Sequence, residues 1–219
     1  MESTRLLNNV NAACDWVVKL LYLNLLWILF TVTGLVVAGI VPATVAMFTV
    51  MKGYLAGENV RVFNKFKKVY KEEFRRANRL GIVLMIIPII FYTDWLFTNY
   101  LSGTMEMIAK GILIGSACLY GITLIYVFPV YLQVNRKAFT AMKMAFLIGI
   151  TYPFYTLMIL TSITSLLFLF VFLPMAGYLF FASGLACIIS FFTLRLFQKI
   201  EIRAEKMQKK ERPRWVINN

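Results

Sequence analysis

Few residues in this chain of 219 carry groups that could do chemistry within its long apolar runs. Asp94 is the one acidic residue inside such a run, and a carboxylate within a membrane segment is a candidate proton relay or cation site. Asp94 lies between Tyr92 and Trp95, however, and such rings mark a membrane–water interface. A relay also needs ionisable partners at the same depth, and the sequence offers none. We therefore expect Asp94 to be an interfacial residue.

Uncharged polar side chains form the second set of candidates. An amide such as Asn24 usually bonds to a neighbouring helix in lipid, which stabilises the pair by about 0.6–2 kcal/mol. The hydroxyls of Thr161, Ser162 and Ser165 either bond to carbonyls one turn earlier or line a polar pocket, and we favour the first. A Gly-x-x-x-Gly pattern, Gly111 with Gly115, predicts close helix contact, either within the chain or between chains.

Signatures of enzymes are missing from the sequence. It contains no histidine, and its three cysteines are far apart. It also lacks a P-loop, a G-x-S-x-G elbow and an H-E-x-x-H motif. We therefore expect no enzymatic activity, no cofactor and no metal.

The elements that carry these residues are predicted by hydropathy. Hydrophobic residues make up 60% of the chain, mean hydropathy is +0.74, and 32 consecutive residues from Leu20 to Met51 carry no charge. Runs of about 20 apolar residues cross a bilayer as helices, since only helices and closed barrels satisfy the backbone there. The runs do not alternate as barrel strands would. The sequence predicts an all-α polytopic transmembrane helix bundle, forming a single domain over 1–219.

Five spans and a short sixth hydrophobic helix follow from the apolar runs. Their approximate bounds are 17–40, 42–57 (the short helix), 80–101, 111–134, 144–170 and 173–194. Gly39 and Pro42 predict a turn before the short helix, although one kinked helix would fit as well. Six helices would place both termini on one side of the membrane, and five would place them on opposite sides.

Basic residues, which give a net charge of +13, concentrate between the spans. Segment 58–79 is predicted to be a basic amphipathic helix, and the tail 195–219 is also basic, as is the loop with Arg136, Lys137 and Lys143. The positive-inside rule then places the C-terminus in the cytoplasm and explains the charge without nucleic acid. Glu72 and Glu73 lie among these cations and are expected to form ion pairs within the helix.

The basic helix offers a candidate binding surface. Its residues are Lys65, Lys67, Lys68, Lys71, Arg75 and Arg76. Phe63, Phe66, Tyr70, Phe74 and Ala77 form its apolar face. The helix either lies on a bilayer with anionic headgroups or binds a cytoplasmic protein partner such as a transporter subunit. We favour lipid.

Several apolar motifs, in their order along the chain, resemble the YesL-like family of bacterial integral membrane proteins, a domain of unknown function. They are Leu23-Asn24-Leu25-Leu26-Trp27, the glycines Gly34 and Gly39, Val41-Pro42-Ala43-Thr44-Val45-Ala46-Met47, Tyr126-Val127-Phe128-Pro129 and Ala145-Phe146-Leu147-Ile148-Gly149-Ile150-Thr151-Tyr152-Pro153. The resemblance covers nearly the whole chain and brings no established catalytic or ligand-binding residues with it.

The resemblance implies a multi-pass protein of the bacterial plasma membrane with an accessory role in carbohydrate uptake. The implied partner is a subunit of an ABC importer or a sensor kinase. The residues themselves leave two further alternatives open. One is a small permease or channel for a neutral solute, with a path lined by Thr, Ser, Asn and Tyr, and the other is a homo-oligomer.

Overall fold

The fold is described from a computed structural model, which covers residues 2–59, 61–134 and 137–211, with side chains for 9–59, 61–134 and 137–207. These residues form α-helices and no strand. The helices are α1 (Glu2–Thr33), α2 (Val37–Leu55), α3 (Val62–Thr98), α4 (Thr104–Gln133), α5 (Ala138–Thr151), α6 (Pro153–Phe172) and α7 (Pro174–Glu211). Arg136 and the end of the predicted tail, 212–219, lie outside the described residues.

Six of these helices are long and apolar enough to cross a membrane: α1, α2, α3, α4, α6 and α7. The predicted all-α multi-pass class is therefore confirmed. Helix α5 is also apolar but has only 14 residues, or about 21 Å of helix, which is less than a hydrocarbon core of about 30 Å.

The turn between α1 and α2 exists, but the predicted position at Gly39–Pro42 is wrong. The chain reverses at 34–36, and Pro42 lies inside α2. Leu35 and Val36 both take φ of 58°, a left-handed conformation that is rare for a β-branched residue such as Val36. Backbone hydrogen bonds close the turn, for example from the Val36 amide to the Thr31 carbonyl at 3.0 Å.

Gly39 has a packing role instead of ending a helix. A Cβ on Gly39 would lie 2.9 Å from the Cα of Thr31 and 3.0 Å from the carbonyl oxygen of Phe30, with the Thr31 carbonyl closer still. Gly34 is equally confined, because its Cβ would meet the backbone of Gly39 and the hydroxyl of Tyr70. These two glycines let α1, α2 and α3 approach each other closely at the tip of the hairpin.

The basic segment predicted at 58–79 is helical from Val62 onward, but it is continuous with the next span, because α3 runs without a break from Val62 to Thr98. Its 37 residues span about 55 Å, so the basic segment is a rigid extension of an apolar helix. Helix α7 extends in the same way through Arg195 to Glu211, so the first part of the basic tail continues the last membrane helix.

The predicted span 144–170 is interrupted. Tyr152 separates α5 from α6, which begins with Pro153 at its first turn. Proline is favoured in a first turn because a backbone N–H at that position would have no partner within the helix, so its absence costs nothing. The proline ring also disfavours the helical conformation at the preceding residue. The second break, at Leu173 before Pro174, agrees with the predicted boundary between the spans 144–170 and 173–194.

Helix α2 lies at the centre of the bundle and contacts α1, α3, α4 and α7. Eleven of its 19 residues are buried, whereas the outer parts of α3, α4 and α6 expose many large apolar side chains. The Gly111–Gly115 pattern does not mediate the intramolecular contact predicted for it, because a Cβ on either glycine would meet no described atom within 4 Å. Contact between chains through these glycines stays a prediction.

Candidate functional site

The basic half of α3 has a buried face and a charged face. Positions at helical spacing are buried against the bundle: Phe66, Val69, Tyr70, Glu73, Ala77 and Leu80. The remaining positions, which carry the basic residues, are exposed or partly exposed. One helix therefore presents a fixed cationic surface, because its other side is held in the protein core.

An aromatic cluster holds this buried face. The ring of Phe30 on α1 lies 5.1 Å from that of Phe66, 5.0 Å from that of Tyr70 and 6.3 Å from that of Phe63, measured between centroids. Phe74 in turn packs on Tyr70 at 5.5 Å. Most of the apolar face therefore packs against α1 and α2, and contact of the helix with anionic lipid stays a prediction for its basic side.

Three of the six predicted basic residues have acidic partners. Lys65 pairs with Glu58 at 2.9 Å, Lys68 with Glu72 at 4.0 Å, and Arg76 with Glu73 at 3.7 Å. The hydrogen bond from Lys65 and the charge of its ammonium group hold the pKa of the Glu58 carboxyl below its usual value. The expected ion pairs of Glu72 and Glu73 are thus present.

Lys67, Lys71 and Arg75 are exposed, and in the part of the chain that the structure describes none of them has an acidic side chain within 4 Å. The ammonium group of Lys67 lies 5.9 Å from the centre of the Phe63 ring. Of the six predicted basic residues, these three are the ones whose charge no described acidic side chain neutralises. We call Lys67, Lys71 and Arg75 the free basic face of α3.

Glu73 occupies a position that sequence reasoning missed. Its side chain is 0% exposed, and the Tyr131 hydroxyl on α4 donates a hydrogen bond of 3.1 Å to its carboxylate. Arg76 approaches the other carboxylate oxygen from the exposed side. The sequence does indicate this buried position, because Glu73 falls on the same apolar face of the helix as Tyr70 and Ala77, where a solvent-exposed carboxylate is not expected.

A second buried polar contact ties α4 to the α5–α6 break. The hydroxyls of Tyr126 and Thr156 lie 3.0 Å apart, and Thr156 donates to the carbonyl of Gly149 at 3.1 Å. Tyr126 belongs to one of the motifs of the sequence, whereas nothing in the sequence singled out Thr156. This contact fixes the angle between α5 and α6.

Asn24 makes the interhelical contacts expected of it. The side chain is 2% exposed, donates to the carbonyl of Tyr178 on α7 and accepts from the amide of Ser183, both at 3.3 Å. It also borders a cavity of about 450 Å³ between α1, α6 and α7. Asn24 therefore joins the first and last membrane helices.

The other polar candidates remain apart from each other. Thr161 and Ser162 donate to carbonyls one turn earlier, those of Leu157 and Met158, at 2.8 Å each. The back-bonding we favoured is thus confirmed for these two hydroxyls, and Ser165 is exposed on the same helix.

Asp94 is exposed near the end of α3 and borders a separate cavity of about 500 Å³ with Tyr100. The structure does not gather these residues into one site.

Chemically, the arrangement suits binding. Among the described residues, no three His, Cys, Asp or Glu side chains lie close enough together to hold a metal ion. The buried Glu73 has a hydroxyl and a guanidinium beside it, which is typical of an anchor between helices. The free basic face, by contrast, is accessible and rigidly supported.

Comparisons with known proteins place the chain among relatives. A family model described as "Protein of unknown function, DUF624" matches residues 20–95. Three Bacillus subtilis (strain 168) proteins are similar over nearly their whole length, each described as uncharacterized. YteU is 35% identical (94% of this chain, 91% of YteU), YesL 30% (91% and 94%) and YesV 31% (87% and 92%).

No solved structure matches the chain significantly. The matched region 20–95 contains most of the hairpin α1–α2 and the whole basic half of α3, so the packing around Phe30 and Tyr70 lies inside it. The similarity to full-length relatives also extends over all seven helices. The chain therefore belongs to the YesL-like family, whose function is unknown.

Proposed function

We propose that this chain is a non-enzymatic accessory or regulatory protein of the bacterial plasma membrane that binds a membrane-protein partner through the free basic face of α3. The partner we propose is a subunit of a carbohydrate ABC importer or a sensor kinase. This choice of partner is supported only by the family resemblance described above.

The observation that carries the proposal is the division of α3 into a buried and a charged face. Because Phe66 and Tyr70 pack on Phe30, the helix cannot turn its apolar side towards lipid without opening the bundle. Lys67, Lys71 and Arg75 are then held outward at fixed positions. Preorganised charges steer an acidic partner and lose little entropy on binding.

Charge distribution supports a cytoplasmic position for this face. The basic half of α3 and the basic end of α7 extend from their apolar segments, and the positive-inside rule assigns such segments to the cytoplasm. A cytoplasmic α3 face would lie where importer ATPases and kinase domains are found, and where anionic headgroups also attract it.

The test is co-purification from the native host in a mild detergent, with mass spectrometry of the retained proteins. In the variant Lys67→Glu/Lys71→Glu/Arg75→Glu, we expect a stoichiometric importer subunit or sensor kinase to be lost. Lys65, Lys68 and Arg76 stay unchanged because they neutralise acidic partners, so the variant should fold and remain in the membrane.

A matched control reverses three basic residues of α7, Lys199, Arg203 and Lys206, which are also exposed. Retention of the partner by this control and its loss from the α3 variant would support the free basic face. Equal retention by both variants would refute the role of α3, and absence of an importer subunit or kinase from the wild-type sample would refute the partner class.

One observation favours the alternative of a neutral-solute permease, since Asn24 borders a cavity of about 450 Å³. The hydroxyls of Thr161 and Ser162 give it less support, because they bond to their own helix. Pure protein in liposomes distinguishes the two proposals. A permease would carry a neutral sugar by itself, and Asn24→Leu would lower that flux, whereas an accessory protein would carry none.

A further inference from the structure

A cavity of about 540 Å³ lies between α3, α4 and α5. Its lining is mostly hydrocarbon and aromatic, and Val83, Ile87, Leu119, Met142 and Phe146 contribute to it. The volume is within the range of small-molecule pockets, about 300–1,000 Å³. An occupant of this space must therefore be largely apolar.

Polar groups around the cavity are already bonded within the protein. The Tyr120 hydroxyl donates to the carbonyl of Leu84 at 2.6 Å, and the hydroxyls of Ser116 and Thr123 donate to carbonyls of their own helix at 2.9 Å. The occupant consequently gains nothing by offering hydrogen-bond acceptors to these three donors, and a sugar or peptide would lose its hydration without compensation.

Lys143 is the exception in this lining. Its ammonium group lies 4.6 Å from the centre of the Phe139 ring, and no acidic side chain of the described residues pairs with it. A lysine beside an apolar cavity in a membrane protein is stabilised by an anion at its head. The combination of one cation with an apolar space of about 540 Å³ matches an amphiphile that has an anionic head and a hydrocarbon tail.

The cavity lies close to the charged segments of α3 and α5. Val83 follows Arg79, the last charged residue of the basic half of α3, by about one helical turn. Lys143 lies on α5 only a few residues after the basic loop that contains Lys137. The cation is thus near the border between charged and apolar segments, which is where the headgroups of one leaflet are expected.

We propose that this cavity binds one acyl chain of an anionic phospholipid, with Lys143 pairing with the phosphate of its headgroup. The site is distinct from the free basic face of α3, whose apolar side is buried in the protein. It does not depend on the partner proposed above. A zwitterionic lipid has the same hydrocarbon but a weaker attraction to Lys143, so the site should prefer anionic lipid.

The experiment is lipid titration of the delipidated, full-length protein in detergent, followed by native mass spectrometry. The probes are dioleoyl phosphatidylglycerol and dioleoyl phosphatidylcholine. We expect the wild type to bind one phosphatidylglycerol about fivefold more tightly than phosphatidylcholine, the size of one basic residue's attraction to an anionic headgroup. Lys143→Gln should remove this preference while leaving binding of phosphatidylcholine unchanged.

Two further variants separate the cavity from general adsorption. Val83→Trp fills the cavity and should abolish the single tight event for both lipids, with Lys143 intact. Val32→Trp, on an exposed part of α1, should change neither. Equal affinity of the wild type for the two lipids, an unchanged preference in Lys143→Gln, or tight binding by Val83→Trp would each overturn the proposal.

Discussion

Replacing Gly39 by alanine should destabilise the protein through the contact between α1 and α2. The new Cβ would lie 2.9 Å from the Cα of Thr31 and 3.0 Å from the carbonyl oxygen of Phe30. Real Cβ atoms rarely come this close to backbone, and a backbone cannot rotate away as a flexible side chain can. Relief therefore requires the two helices to separate, which would also loosen the packing of Phe30 on α3.

The magnitude follows from two opposing effects. Alanine in a helix interior is more favourable than glycine by about 0.8–1.0 kcal/mol. Overpacking a close contact costs about 1–3 kcal/mol, and a clash with backbone belongs at the upper end. The net loss for Gly39→Ala is then about 2 kcal/mol, which corresponds to a fall in Tm of roughly 4–8 °C for a chain of this size.

Gly115→Ala is the matched control, because the same methyl group would meet no described atom within 4 Å. Only the helix-propensity gain remains, so Tm should rise by up to about 4 °C. The assay is thermal unfolding in one mild detergent, followed as loss of the monodisperse peak in size-exclusion chromatography. If Gly39→Ala matched the wild type or rose like Gly115→Ala, the proposed packing of the hairpin would be refuted.

Further substitutions test three other contacts in the same assay. Gly81→Ala should lower Tm by roughly 2–6 °C because its Cβ would lie 2.8 Å from the Val41 side chain, and adding Val41→Ala should restore part of the loss by removing that clash. Glu73→Ala and Tyr131→Phe should each cost about 1.5–3 kcal/mol, because each removes the hydrogen bond between the Tyr131 hydroxyl and the buried carboxylate, and wild-type Tm values in both variants would contradict the buried anchor. Asn24→Leu should cost about 1 kcal/mol through its bonds to α7, and an unchanged Tm would show that they contribute nothing.

The fold class could be predicted because hydropathy is a local property of the chain. The ends of the helices could not be predicted, because they depend on contacts between helices. Gly39 and Pro42 are residue types that often end one helix and begin the next, yet both lie within α2. Pro153 and Pro174, by contrast, do begin helices. A glycine that ends a helix and a glycine that lets two helices touch leave the same pattern, and only the neighbouring backbone of Thr31 distinguishes them.

The basic surface of α3 could be predicted only in part, again because contacts with other helices decide the rest. Helical spacing correctly divides α3 into a basic and an apolar face, but it does not reveal what covers the apolar face. Lipid tails and a protein interior are similar surroundings for Phe66, so a sequence pattern cannot separate them. The residue that decides is Phe30, which lies on another helix and 36 positions earlier in the chain.

Glu73 is the residue in the sequence that distinguishes an apolar face packed in protein from one that lies in lipid. An ionised carboxylate on a face that lies in lipid would cost several kcal/mol, whereas the same carboxylate inside a bundle can be stabilised by a hydroxyl and a guanidinium. Its place on the stripe of Tyr70 and Ala77 therefore argues against lipid insertion, and the hydrogen bond from Tyr131 gives the physical reason. Together with the packing of Phe30 on Tyr70, that bond holds the buried side of α3 against the bundle, and Lys67, Lys71 and Arg75 lie on the opposite, exposed side.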